Sequence, residues 1–168
     1  VDAVTSATPL ALLNQGGDLP TYGQLLLGLH GGSMGETCAV ALLLGGIFLI
    51  VMGVIRPIIP LTYLGGVALF SALLGQDPLY QLLSGGLLLG AFFMATDYST
   101  SPVTEKGRFV FALGCAILTV AIRSFGSYPE GVSFAILLMN LVTPLIDRYA
   151  VTRPFGSKPT KEQKGGAA

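Results

Sequence analysis

The chain has 168 residues, of which 52% are hydrophobic and only 11% are charged. A water-soluble domain of this length needs more charged surface, so the composition indicates a membrane protein. The formal net charge is zero, and no basic patch carries interleaved aromatic residues, which argues against nucleic acid as a partner. Cys38 and Cys115 lie far apart within apolar segments and His30 is the single histidine, so we expect no iron–sulfur, zinc or other metal site.

The chain opens with Asp2-Ala3-Val4-Thr5-Ser6-Ala7-Thr8, followed directly by Pro9. On local chemistry Thr8 is an N-cap, because Pro9 suits the first position of a helix and apolar residues follow. The same position also suits a phosphate ester, since the unpaired N–H groups and the positive end of a helix dipole favour negative charge. Both interpretations of Thr8 remain open on these residues alone.

Five apolar segments are predicted to be transmembrane helices, which makes the fold class an all-α, polytopic membrane bundle. The first has 19 residues, or roughly 28 Å of helix, close to the ~30 Å of a hydrocarbon core. Asp77 is placed to cap the third, with Pro78 in its first turn. The fourth has only 14 residues, so the flanking Arg108 and Arg123 would have to extend toward the headgroups as interface anchors. The segments are residues 37–55, 58–74, 79–95, 109–122 and 132–146.

Polar residues and glycines interrupt these segments. The fifth contains Thr143-Pro144 and also Asn140, which is expected to bond to a neighbouring helix. Glycine pairs occur once in each of the first three, at residues 45–46, 65–66 and 85–86, and favour close helix packing or room for a flat ring.

Lysine and arginine positions predict the orientation of the bundle. If successive segments alternate sides, eight of the nine basic residues fall on one side and Arg123 alone on the other. Because basic residues accumulate on the cytoplasmic side, residues 148–168 are predicted to be a disordered cytoplasmic tail, and residues 1–36 to be extracytoplasmic. Residues 37–147 form the predicted five-helix membrane domain between them.

Two carboxylates stand at the ends of predicted helices. Glu36 with Ser33 forms an S-x-x-E capping box before the first segment. Asp97 follows the third segment, where the helix dipole disfavours a carboxylate, so it is expected either to pair with Lys106 or Arg108 or to serve a function.

Several stretches resemble one family. Residues 2–8 are similar to the pattern D-x-x-[ST]-[SG]-A-T, at which a flavin transferase esterifies the last threonine with the phosphate of FMN. Residues 35–37, 93–97 with 101–104, and 128–140 resemble the D subunit of the Rnf ion-translocating electron-transport complex, which is similar to the B subunit of the sodium-pumping NADH:quinone oxidoreductase. The resemblance runs from residue 2 to about residue 147 and suggests the C-terminal half of a longer subunit.

The resemblance implies a membrane flavoprotein subunit of a translocase in the bacterial cytoplasmic (inner) membrane, without catalytic residues of its own. FMN would be covalently bound to Thr8, with Asp2, Thr5, Ser6 and Ala7 completing the attachment pattern. It further associates Glu36 with flavin binding near the membrane surface, and the Asp97 loop with a second, non-covalent flavin, riboflavin, or with an ion. The implied partners are the other membrane and redox subunits, the flavin transferase and the lipid bilayer.

Two other functions fit the residues. A channel or secondary transporter without a redox role also uses short, glycine-rich helices. A purely structural subunit that supports redox neighbours would bind no flavin. The segment from Asp2 to Thr8 favours the flavoprotein, because neither alternative requires that pattern.

Overall fold

The computed structural model describes residues 9–10, 20–28, 35, 37–125 and 131–150. Within these ranges it contains helices and connecting loops but no strand, which confirms the all-α class. The helices are α1 (Tyr22–Leu27), α2 (Ala39–Val51), α3 (Ile58–Leu73), α4 (Pro78–Leu83), α5 (Leu87–Leu89), α6 (Glu105–Phe125) and α7 (Val132–Tyr149), and α5 continues into a π-helical turn, Gly90–Met94.

Helices α3 and α6 run parallel and form the centre of the bundle. Arg56, just before α3, pairs with Glu105 at the start of α6. Further along, Tyr63 and Thr119 share a buried hydrogen bond of 2.7 Å between their hydroxyl oxygens. Beyond the end of α3, Gln76 Nε2 donates to Ser124 Oγ at 3.4 Å. These contacts follow the same order along both helices, so α3 and α6 run in the same direction. The predicted alternation of spans requires this, because one span lies between them in the chain.

Helix α7 runs antiparallel to α6. Its final turn lies beside the start of α6, where the backbone N–H of Val103 donates to Asp147 Oδ1 at 3.2 Å. In mid-helix, Gly114 faces the side chain of Met139. The starts of α3 and α6 and the end of α7 therefore share one end of the molecule, called here the basic end, which carries Arg56, Lys106, Arg108 and Arg148.

Two of the predicted close approaches are present. A Cβ on Gly46 would lie 2.4 Å from the ring of Phe92, so α2 packs directly on the π-helical turn. A Cβ on Gly66 would lie 2.7 Å from the Cβ of Ala116, so α3 and α6 touch there. Their neighbour Gly65 meets no atom within 4 Å. Gly45 is close as well, since its Cβ would lie 3.2 Å from the ring of Phe93. Close packing accordingly accounts for both members of the first pair and for Gly66 in the second.

The prediction of one continuous helix over residues 79–95 was wrong. The start is as expected: Pro78 occupies the first turn, and Asp77 Oδ1 accepts hydrogen bonds from the N–H groups of Leu79 and Tyr80 at 3.1 and 3.5 Å. The helix then ends at Leu83, because Gly85 and Gly86 adopt φ values of +68° and +63°. Left-handed backbone is available to glycine at little cost and ends a helix.

The fourth predicted span was too short. Helix α6 has 21 residues rather than 14, because it begins at Glu105 and continues through Arg123 to Phe125. Arg123 does not extend outward as an interface anchor: it is only 4% exposed. Arg108 lies in the first turn of α6, where its Nε donates to the carbonyl oxygen of Pro102 at 2.9 Å.

The fifth predicted span is a single helix despite its polar residues. Pro144 lies inside α7, and Thr143 Oγ1 donates back to the carbonyl oxygen of Met139 at 3.1 Å. The expected bond from Asn140 to a neighbouring helix is not formed by its Oδ1, which is buried without a hydrogen-bond partner among the described residues. The helix continues to Tyr149, while residues 151–168 of the predicted tail lie outside the described ranges.

Outward faces of the helices are strongly apolar. On α7 the side chains of Leu137, Leu141 and Leu145 follow one another at a spacing of four residues and are 67%, 78% and 55% exposed. Helices α6 and α7 are long and apolar enough to cross a membrane, whereas α2 and α3 are shorter apolar helices of 13 and 16 residues. A soluble surface does not present such a continuous apolar stripe, and a lipid-facing or subunit-facing one does.

Candidate functional site

Most of the predicted site residues lie outside the described ranges. This applies to Asp2, Thr5, Ser6, Ala7 and Thr8, and also to Glu36 and its capping partner Ser33. Pro9 and Leu10, which follow Thr8 directly, are described and are both helical and buried. The structure therefore locates the point at which the Asp2–Thr8 segment joins the bundle.

Pro9 and Leu10 contact the region where the third span breaks. Tyr80 Oη donates to the carbonyl oxygen of Pro9 at 3.3 Å. The side chain of Leu10 is 2% exposed and lies over Gly85, where an added Cβ would be 2.2 Å from Leu10 Cδ1. A glycine is thus required at position 85 both for its positive φ and for the space that Leu10 fills. Residues 80–85, which Pro9 and Leu10 contact at Tyr80 and Gly85, are called here the Leu10 seat.

Arg123 holds the backbone of this seat from the other side. Its Nη1 donates to the carbonyl oxygen and Oε1 of Gln81 at 2.7 and 3.0 Å. Its Nη2 donates to the carbonyl oxygens of Ser84 and Gly85 at 3.0 and 2.9 Å. Carbonyl groups at the end of a helix lack intrahelical partners and attract cations, so the guanidinium satisfies α4 where glycine has ended it.

A chain of amides connects Arg123 to the loops. Gln81 is 3% exposed, and its Nε2 donates to Gln76 Oε1 at 3.1 Å. Gln76 in turn bonds to Ser124, the residue that follows Arg123. Both ends of this network are fixed to α6, so the arginine side chain has little freedom to leave the junction.

Asp77 joins α1 to the same region. Tyr22 Oη donates to Asp77 Oδ2 while Asp77 Oδ1 caps α4. The hydrogen bond from Tyr22 lowers the pKa of Asp77, with further support from the N–H groups of Tyr80 and Leu79, and the same contact raises the pKa of Tyr22. A charged carboxylate at the start of α4 is favoured by the helix dipole.

Asp97 lies on the surface at the basic end. Its Oδ2 accepts hydrogen bonds from Ser99 Oγ at 2.6 Å and from Thr100 Oγ1 at 3.1 Å, which lower the pKa of the carboxyl. Neither Lys106 nor Arg108 pairs with it: the ion pair in this region joins Arg56 to Glu105. The expected pairing is replaced by a local turn, because the serine and threonine that follow Asp97 reach it without ordering a distant side chain.

A cleft of about 280 Å³ opens beside the Asp97 loop. Arg56 and Arg108 contribute charge to it, and Thr96 and Tyr98 bring the residues on either side of Asp97 to its wall. Tyr98 is 98% exposed, and Asp97 itself does not line the cleft. Asp97 and the Pro9 attachment point belong to opposite ends of the bundle and do not form one site.

Sequence reasoning missed the role of Arg123. An arginine at the end of an apolar run ordinarily marks the membrane interface, and that rule gave the wrong position here. Two signals pointed elsewhere: a 14-residue span is too short to place its flanking arginines at both interfaces, and Ser84-Gly85-Gly86 breaks the preceding span. The hydrogen bonds of Arg123 to residues 81–85 connect these two signals.

The fold and the apolar outer faces define a helical membrane protein. The chain belongs to the NQR2, RnfD, RnfE family, whose model matches residues 1–156.

Three relatives illustrate the similarity. The D subunit of the Na⁺-translocating ferredoxin:NAD⁺ oxidoreductase complex of Acetobacterium woodii is 52% identical, over 97% of this chain and 53% of its own length. The proton-translocating counterpart of Clostridium ljungdahlii is 44% identical, over 94% of this chain and 53% of its own length. The D subunit of the ion-translocating oxidoreductase complex of Stutzerimonas stutzeri is 50% identical, over 77% and 39%. The chain spans about half the length of the curated relatives it matches.

Proposed function

We propose that this chain is part of the D subunit of an ion-translocating oxidoreductase complex of the Rnf type. The subunit carries FMN as a phosphate ester on Thr8 and couples electron transfer to the movement of Na⁺ or H⁺ across the bacterial cytoplasmic membrane. Family membership and the names of the relatives support the class of complex. The relatives name different ions, so this chain's ion is left as either of the two.

The observation that carries the flavin proposal is the docking of Pro9 and Leu10. Pro9 is bonded to Thr8, and the Cα atoms of consecutive residues lie about 3.8 Å apart. Tyr80 and Gly85 therefore fix the residue next to the proposed ester, and Arg123 brings a positive charge to the same glycine. A helical Pro9 fits an anionic ester on the residue before it, and a fixed redox group needs this kind of rigid attachment.

The attachment is a phosphoryl transfer. The hydroxyl oxygen of Thr8 would form a bond to the phosphorus of the FMN unit of a flavin dinucleotide donor, whose phosphoanhydride would break and release a nucleoside monophosphate. Water would take up the hydroxyl proton. The bound flavin would supply the redox chemistry, while Tyr80 and Gly85 hold Pro9 and Leu10, the residues that follow Thr8, against the bundle.

We place the amino-terminal segment and the seat on the extracytoplasmic side. The basic end holds Arg56, Lys106, Arg108 and Arg148, and the seat lies at the opposite end of α6. The excess of basic residues on the cytoplasmic side supports this orientation. The five predicted spans would then be α2, α3, the broken helix from Pro78 to Met94, α6 and α7.

We further propose the cleft beside Asp97 as part of a second flavin site. Its volume of about 280 Å³ is at the lower limit for a ligand of this size, so a whole riboflavin would need walls supplied by the other half of the subunit. Tyr98→Ala removes a side chain from the wall of the cleft. A loss of non-covalent flavin from Tyr98→Ala, but not from Tyr22→Phe at the opposite end, would support the site.

A transporter without a redox role is the second candidate. The break at residues 84–86 and the π-helical turn favour it, because discontinuous helices form ion and substrate sites in transporters. The two functions predict different results for Thr8→Val: a redox-driven pump loses ion movement, whereas a transporter retains it.

The decisive experiment is intact mass spectrometry of the full-length subunit produced together with the flavin transferase. The proposal predicts an added mass equal to FMN less one water, lost in Thr8→Val. Thr5→Ser is the matched control, because the attachment pattern accepts serine or threonine there, and it should keep the adduct. If the wild-type protein stays unmodified in the presence of active transferase, the flavin proposal is wrong and Thr8 is interpreted as a helix cap.

A further inference from the structure

We infer that Arg123 is a positioning residue: its guanidinium holds the broken end of α4 in the shape that seats Pro9 and Leu10, and thereby fixes the place and mobility of whatever Thr8 carries. The inference about the seat stands on described residues alone. Its extension to the flavin rests on the proposed function. Neither the family membership nor the names of the relatives assigns a role to this residue.

Four hydrogen bonds from Arg123 are directed at the seat. Its two terminal nitrogens bond to three backbone carbonyls and one amide oxygen, all within residues 81–85. Its Nη2 lies 2.9 Å from where a Cβ of Gly85 would stand, and Leu10 Cδ1 lies 2.2 Å from the same point. Arg123 and Leu10 therefore lie on either side of Gly85, so a movement of one side chain changes the space available to the other.

The chemistry of the contact requires a guanidinium. A buried ionised group is costly to remove from water unless its hydrogen bonds are satisfied, and Arg123 is 4% exposed. The planar fork of arginine donates to four oxygens from two nitrogens, whereas the ammonium of lysine has three donors on a single nitrogen. Lysine at this position should retain the charge but leave part of the turn unsupported.

The test measures the accessibility of position 10 directly. In the full-length protein, native cysteines are replaced by alanine and Leu10→Cys is introduced, and labelling by a membrane-impermeant maleimide is timed. The buried position predicts slow labelling in the parent. Arg123→Met should accelerate it about tenfold or more, since several charge-assisted hydrogen bonds are lost, and Arg123→Lys should give an intermediate rate.

A second reporter separates the seat from the bundle. Cys115 is fully buried in the core between α3 and α6. A protein that keeps Cys115 as its single cysteine should stay unlabelled in Arg123→Met. Faster labelling at position 10 alone supports the inference. Unchanged labelling at position 10 overturns it, and faster labelling at both positions also overturns it, because Arg123 would then support the whole bundle.

Two separate glycines, Gly85 and Gly75, give an independent test that leaves Arg123 in place. Gly85→Ala puts a methyl group between Leu10 and Arg123, whereas Gly75→Ala, with φ of +73°, meets no atom within 4 Å. Both alanines carry the same left-handed backbone strain. The inference predicts exposure of position 10 in Gly85→Ala only, and equal rates in the two variants would contradict it.

The flavin provides the last readout. Arg123→Met leaves residues 2–8 unchanged, so the covalent adduct should persist, while the fluorescence anisotropy of the bound flavin should fall. If wild-type protein carries no adduct, the proposed function fails and the labelling result still decides the role of Arg123. An adduct with unchanged anisotropy would contradict the extension to the flavin.

Discussion

The contact between Gly66 and Ala116 offers a sharp test of how the bundle is packed. A methyl group on Gly66 would lie 2.7 Å from the Cβ of Ala116, whereas the adjacent Gly65 is exposed and meets nothing within 4 Å. Carbon atoms in contact prefer separations of about 3.5–4.0 Å, so Gly66→Ala must push α3 and α6 apart by about 1 Å.

The two neighbouring substitutions should have opposite effects. Overpacking of a tight core costs about 1–3 kcal/mol, and neither methyl has a flexible side-chain end that could move aside. Gly65→Ala should instead stabilise the protein by about 0.4–1 kcal/mol, because alanine has fewer conformations to lose and favours a helix. The free energies of unfolding of the two variants should thus differ by about 1.4–4 kcal/mol.

Cys115 supplies the assay. The thiol is buried beside Ala116, so a maleimide dye that fluoresces on reaction reports the opening of this core during heating once the protein's other cysteines, including Cys38, are replaced by alanine. Using about 2–4 °C per kcal/mol, the midpoints of Gly65→Ala and Gly66→Ala should lie roughly 3–16 °C apart. If the two midpoints move together, α3 and α6 are not in contact at this glycine and the packing described above is incorrect.

Further predictions use the same thermal assay. Gly114→Ala should lower the midpoint less than Gly66→Ala does. The added Cβ would lie 2.5 Å from Met139 Cε, and this flexible side chain can change rotamer. An equal fall in the two midpoints would argue against that explanation. Asp77→Ala should lower the midpoint by the equivalent of about 1 kcal/mol through loss of the α4 cap. Asp77→Asn should lose less, because its amide oxygen still caps α4 while the charge and the second acceptor oxygen are removed. Since the pKa of Asp77 is lowered, its stabilisation is present above the unfolded value of about 3.9 and is lost only as pH falls through the lower folded value. Tyr22→Phe should move this acid loss to higher pH, and an unchanged pH profile would show that Tyr22 does not set the pKa of Asp77.

Local sequence signals predicted the parts of the fold that depend on near neighbours. Asp77 and Pro78 identified the start of α4 correctly, since a cap requires only the next three residues. The apolar runs identified α2, α3, α6 and α7, although the boundaries differed by a few residues. Pro144 was read as an interruption and is instead accommodated within α7, where tertiary packing outweighs the local cost.

The three glycine pairs illustrate what a pattern leaves undecided. Each has the same two letters within an apolar run, yet Gly46 approaches an aromatic ring, Gly66 approaches another helix, and Gly85 ends one. Each outcome depends on which element lies opposite, and that element is separated by tens of residues in the chain. The segment from Asp2 to Thr8 differs from these glycines, because its interpretation as a flavin site came from the resemblance to one family. That interpretation stays a prediction.

The sequence alone determined that the protein is helical and apolar, where its basic residues accumulate, and which family it belongs to, because hydrophobicity, capping and motif all act within short stretches of chain. The tertiary structure decided the position of Arg123. Its burial follows from the break in a separate span, whose carbonyls at residues 81, 84 and 85 accept from a donor that α6 brings. The same packing decided that Pro9 and Leu10 rest on that junction through Tyr80 and Gly85, with Arg123 supporting it from α6.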